Sequence, residues 1–197
     1  DLPLKANYMP IVLQPGETLE ITADISSLQA TCAIKQPSMM NTALLSLRDL
    51  RHHAFRQELA KQQGSDDHDE AALLEREAAL LRFRQPLMAF ADTCPLLLPS
   101  LVAARWVSTD GDYERVPEFL VRQCQKWSQK EPKSQWVREL CQAGNRANLP
   151  VLTGDRMPNA ILPMASGDTV LLHSLLGSRL TVLDIWASWC APCRAEL

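Results

Sequence analysis

Leu180-Thr-Val-Leu-Asp184-Ile-Trp186-Ala-Ser-Trp189-Cys190-Ala191-Pro192-Cys193-Arg-Ala-Glu196-Leu197 is the stretch on which the reading turns. Its first seven residues are apolar almost throughout, as expected of a β-strand covered on both faces. A tight turn follows, and Cys-Ala-Pro-Cys then opens a helix. Cys190 would sit at the N-terminus of the expected helix, where N–H groups without intrahelical partners and the helix dipole favour a thiolate. In such motifs the thiol pKa falls to roughly 3.5–7.5, so a nucleophile is present at neutral pH. Cys193, three positions on, lies on the same helical face within disulfide reach, so Cys190–Cys193 is expected to be a redox-active disulfide. It can resolve the mixed disulfide that Cys190 forms with a substrate. Pro192 suits a first helical turn because the N–H it lacks would be unpaired there anyway. Ala191 and Pro192 help set thiolate stability, but the direction of electron flow does not follow from them.

The rest of the chain is that of an ordinary folded protein. It has 197 residues, 46% hydrophobic and 22% charged, and a chain of that length buries roughly 70% of its unfolded surface. Twenty Lys plus Arg against 23 Asp plus Glu give a net charge of −3, which argues against binding nucleic acid through general phosphate attraction. No apolar run is long enough to cross a bilayer. Asp1 stands first with no basic or apolar leader before it, so the expectation is a removed secretory signal or a piece of a longer chain.

Three regions are expected, 1–37, 38–147 and 148–197, in an α+β architecture. In the first, Leu19, Ile21, Ala23 and Ile25 alternate with Thr18, Glu20, Thr22 and Asp24. Together with Tyr8–Leu13 and the turn residues Gln14-Pro15-Gly16-Glu17, this predicts a β-hairpin, the remnant of a sheet whose earlier strands precede the chain. The second region is a helical array. Its helices are expected over 43–63, from the acidic run 65–70 to about Arg84 with Pro86 bending or ending it, over 96–106, over 112–129, and from Pro132 to Gly144. Their stripes include Val116, Leu120, Cys124 and Trp127, then Trp136, Val137, Leu140 and Cys141. In the third, Thr169–Leu172 and Leu180–Trp186 are expected strands.

Trp186-Ala-Ser-Trp189-Cys190-Ala-Pro-Cys193-Arg-Ala-Glu196 resembles the active-site signature of the TlpA/ResA-like thiol–disulfide oxidoreductases of the thioredoxin superfamily. Gly154-Asp-Arg-Met-Pro158-Asn159, Ser166-Gly167-Asp168, Leu175 and Gly177 resemble the lead-in of such domains. Before Leu149 the likeness is one of organisation only, to envelope proteins of Bacteroidetes-type bacteria. The resemblance implies that 148–197 is the first half of a thioredoxin-like α/β domain, working in the periplasm or cell envelope of a Gram-negative bacterium. It implies oxidised envelope proteins or cytochrome apoproteins as clients, an upstream membrane electron donor, anchoring through a removed N-terminal segment, and no metal or organic cofactor. Asp184 stands where thioredoxins carry a buried carboxylate behind the dithiol. There it would relay the proton of Cys193 from a desolvated site; the other reading is a strand-edge carboxylate turned to water. Glu196 matches a Glu common after the motif, or simply complements the helix dipole in solvent. Trp186 and Trp189 would shape the site, and Trp189 emission should change with redox state. Such domains continue past this helix to a cis-proline loop that faces the dithiol, so the chain is expected to be a fragment with poor turnover of its own.

Other chemistries are weaker. Zinc would need further ligands, and Cys124, Cys141 and His173 offer no second pair at zinc-finger spacing. A peroxiredoxin-like site would carry Thr where Ala187 stands. Cys32, Cys94, Cys124 and Cys141 read as small core residues; a disulfide among them has three pairings that the sequence leaves open. His52 and His53 are about 100° apart on a helix, poor geometry for one metal, and His68 lies in a solvated acidic helix start. The remaining class is an envelope binding or scaffold protein whose dithiol is inert.

Overall fold

The computed structural model describes residues 8–60, 70–107, 116–145, 149, 152, 154–184 and 187–188. The architecture is mixed α+β and mostly helical, with two small antiparallel sheets. The chain divides into two compact units, Asp1–Pro150 and Val151–Leu197.

In the first unit the expected hairpin does not form. The Pro15-Gly16 turn is present, with Glu17 N–H donating to the Gln14 carbonyl at 3.0 Å and Gly16 at φ 82°, a type II arrangement that needs glycine. The flanking runs, however, do not pair. Strand β1 (Ile21–Thr22) pairs instead with β2 (Ala33–Ile34), antiparallel. The alternation over 18–25 is cut short by Asp24, whose carboxylate accepts from Ser26 N–H at 2.9 Å and Ser26 Oγ at 2.7 Å and turns the chain into a 3-10 segment, Ile25–Ser27. Ile25 is consequently 89% exposed rather than inward. A single helical turn, α1 (Leu28–Thr31), leads to β2.

The extended residues before the turn are held by side chains rather than by a strand. The fully buried amide of Asn41 accepts from Val12 N–H at 2.8 Å and donates to the Val12 carbonyl at 2.9 Å, standing in for a ladder partner. Gln29, also buried, donates to the Tyr8 carbonyl, and Trp106 Nε1 donates to the Tyr8 hydroxyl at 2.9 Å.

Among the described residues five longer helices follow. Helix α2 (Met39–Ala54), capped by Ser38, runs into one π turn at Phe55–Leu59. Helix α3 (Glu70–Thr93) passes through Pro86 instead of stopping near Arg84. Proline in a helix interior costs about 3 kcal/mol, but Leu87 and Ala91 beyond it are fully buried, and their packing outweighs that cost. Helix α4 (Leu97–Val107) accommodates Pro99 in its first turn. Helix α5 (Pro117–Lys130) begins on a proline, and α6 (Gln135–Ala143) starts after Ser134 rather than at Pro132. Leu47, Phe83, Leu87, Ala103, Trp106 and Phe119 form the core shared by α2, α3, α4 and α5. Trp127 is 2% exposed, but Trp136, expected in the core, is 60% exposed. Helix α6 lies against α5 and is bonded to it by a Cys124–Cys141 disulfide with Cα atoms 4.9 Å apart, a pairing that the sequence left open. Cys32 and Cys94 are buried free thiols.

In the second unit β3 (Ile161–Pro163) pairs with β4 (Thr169–Leu171), joined by a turn with Gly167 at φ 90°, and a 3-10 segment, Leu172–Leu175, follows. The expected strand over 180–186 is absent from its described part: residues 180–184 are irregular, with Leu180 81% and Val182 82% exposed. A strand exists only through its ladder, and none of the described strands pairs with this run. What the described residues of the second unit show is a single two-stranded antiparallel sheet followed by a 3-10 segment. Among the described residues no helix is long and apolar enough to cross a membrane.

Asn41→Ala would leave Val12 N–H and C=O without their partner, and urea denaturation should show a loss of about 1–3 kcal/mol. Asn41→Asp can accept but not donate, so it should not restore the wild-type midpoint. A wild-type midpoint in either variant would refute the strand-substitute role.

Candidate functional site

Cys190, Cys193, Trp186, Trp189, Ala191, Pro192 and Glu196 lie outside the described residues. Of the expected site only Asp184 is described. It is exposed and set in irregular backbone. None of the described strands pairs with residues 180–184. Ala187 is half-buried and Ser188 exposed.

The lead-in to this stretch is well tied. Asn159 Oδ1 accepts from the His173 N–H at 3.0 Å, and His173 Nε2 lies 2.7 Å from the Met157 carbonyl. Leu172 N–H donates to the Ala160 carbonyl at 2.9 Å. His173, weighed as a metal ligand, thus serves as a clasp between 157–160 and the residues after β4. Among the described residues no cluster of three or more His, Cys, Asp or Glu is placed to hold a metal ion.

The first unit carries perturbed groups that periodicity alone did not single out. Arg51, 3% exposed, donates to Gln29 Oε1 at 3.2 Å and lies over the Trp106 ring at 4.6 Å. Burial pushes its pKa down, with the Tyr8 hydroxyl opposing. The signal for it was Arg51 at helical spacing from Leu44 and Leu47, on the inward stripe. Lys126 reaches the end of α3, where its Nζ donates to the carbonyls of Ala91 at 2.6 Å, Asp92 at 3.1 Å and Cys94 at 2.8 Å. It supplies the C-terminal cap that α3 lacks in its own sequence. Desolvation lowers its pKa first, with Lys130 adding to the effect. Beside Lys126, Arg122 forms a two-bond pair with Asp92 at 2.9 and 3.1 Å. These residues brace the fold.

Comparison with protein-family models, with curated proteins and with solved structures finds no match to this chain.

Lys126→Met should lower stability by about 1.5–3 kcal/mol in urea unfolding, because the bonds lost are charge-assisted. A change within 0.5 kcal/mol, the ordinary range of surface substitutions, would remove the capping role. His52 gives a pH test. Burial, then Arg51, Arg48 and Arg56, push its pKa below the usual value, with Asp49 opposing. The unfolded chain therefore takes up a proton that the folded chain refuses. Stability from this group is present above pH ~6.5 and is lost as pH falls below it. His52→Leu should flatten that part of the stability–pH curve between pH 7.5 and 5.5; an unchanged slope would contradict the assignment.

Proposed function

We propose that the chain is a thiol–disulfide oxidoreductase whose dithiol is Cys190 and Cys193. The observation that carries the proposal is the Cys190-Ala-Pro-Cys193 spacing directly after an apolar run and flanked by Trp186 and Trp189. The Cys124–Cys141 bridge supports the compartment: disulfides persist where the surroundings are oxidising, as in a bacterial periplasm or at a cell surface. It also fits a setting in which client proteins carry disulfides of their own.

The Cys190 thiolate attacks one sulfur of a client disulfide, forming a mixed disulfide and expelling the client's other sulfur as a thiolate, which takes up a proton. Cys193, deprotonated, attacks Cys190 Sγ. The second client sulfur leaves as a thiol, and the two electrons now missing from the chain are those held by the client. The product is the Cys190–Cys193 disulfide, to be reduced again by an upstream envelope donor of dithiol or thiol type. Oxidised envelope proteins or cytochrome apoproteins are the proposed clients, and no cofactor is required by these steps. Asp184 is exposed, and these steps are written without it.

The test uses the full chain with its reactive thiols titrated by alkylation against pH. Cys190 should ionise clearly below the ordinary thiol value of about 8.5. Cys190→Ser should abolish reduction of a protein disulfide such as that of insulin, and Cys193→Ser should trap the mixed disulfide. Exchange surviving in Cys190→Ser, or a Cys190 that stays protonated to pH 8.5, would discard the proposal and leave the binding-protein class. Asp184→Asn should leave the rate within about threefold, an effect under 1 kcal/mol.

A further inference from the structure

The first unit carries an apolar groove of about 520 Å³ lined by several elements. Its walls are the extended segment at Ile11, helix α4 at Leu101 and Arg105, and helix α6 at Trp136, Glu139 and Leu140. That size lies within the roughly 300–1,000 Å³ typical of small-ligand sites. Two features set it apart from a packing seam. Trp136 is 60% and Ile11 43% exposed at the groove, a large apolar surface left to water. The walls also carry one charge of each sign, and these are not equivalent. Glu139 already accepts from Gln135 Nε2 at 3.0 Å along its own helix. Arg105 is exposed, and no acid within the described residues pairs with it. A guanidinium offers a planar pair of donors that fits a carboxylate with two parallel bonds.

We propose that this groove binds a long-chain carboxylate, its hydrocarbon lying along Ile11, Leu101, Leu140 and the Trp136 ring and its head group on Arg105. The apolar lining favours the chain, the Arg105 guanidinium, without an acid partner among the described residues, selects an anionic head, and Glu139 on the facing wall repels that head from the α6 side. A cationic or neutral chain of the same length gains the apolar contact but not the ion pair. An acidic amphipathic peptide helix could present similar chemistry. One cation among the described residues of the groove and its modest volume favour the smaller ligand. The site is independent of the dithiol.

The experiment titrates the full chain with palmitate below its micelle concentration, following tryptophan emission and displacement of a fluorescent sixteen-carbon carboxylate. Expected are saturation at one equivalent and binding at least tenfold weaker for hexadecanol and for hexadecyltrimethylammonium, about the value of one charge-assisted bond. Arg105→Gln should weaken palmitate about tenfold and leave hexadecanol unchanged. Trp136→Phe should remove the emission change while displacement persists, which places the chain at this ring. Both residues are exposed, so neither variant threatens folding. Non-saturating uptake, equal affinity for the three head groups, or indifference to Arg105 would overturn the proposal. So would displacement of the probe by an acidic amphipathic helix at lower concentration than palmitate, which would assign the groove to a peptide instead.

Discussion

Two buried side-chain amides, those of Asn41 and Gln29, determine where the N-terminal part of the first unit lies. A buried polar group without a partner costs more than most single packing contacts contribute. Asn41 in α2 and Gln29 in α1 must therefore find partners, and the ones they find are the backbone groups of Val12 and Tyr8. That satisfaction draws the extended segment onto the helices and brings the Tyr8 hydroxyl to Trp106. It also places Gln29 where it accepts from Arg51. One side of the apolar groove is thus a consequence of hydrogen bonding in the interior.

Much of the helical region was legible because amphipathic periodicity reports burial, and burial is what holds these helices. The stripe through Leu44 and Leu47 and the burial of Trp127 both follow from local spacing. The failures are those in which a distant partner decided the outcome. Pro86 carries a true local penalty, but what α3 buries after it is invisible within its own window. The alternation over 18–25 is genuine, yet a strand also needs a neighbour, and the Asp24 turn together with Ala33–Ile34 chose a different one. Trp136 sits on a helical stripe, but α6 buries Val137 fully and leaves the indole to solvent.

For the redox reading, sequence carries more than the fold does. Spacing within a dithiol is local chemistry and can be read directly, whereas Asp184 needed a covered sheet to become a buried carboxylate, and the described backbone around it provides none. The β3–β4 ribbon was half foreseen. Thr169–Leu171 was legible as a strand, but its partner Ile161–Pro163 was hidden by the proline at its end, although Ser166-Gly167-Asp168 is a fair signal for a turn between two strands. The pairing of Cys124 with Cys141 belongs to the same class of hidden facts, since it depends on how α5 and α6 meet.

That bridge makes α6 conditional. A nine-residue helix is too short to persist by itself, and this one has a single fully buried side chain, Val137. Its covalent tie to α5 therefore carries a large share of its placement. Any thiol buffer strong enough to recharge a dithiol could also sever that tie, loosening the α6 side of the lipid-sized opening without touching its lining chemically. The redox potential of the medium then becomes a hidden variable in ligand measurements, and preparations kept in reductant would differ in shape from those kept without it.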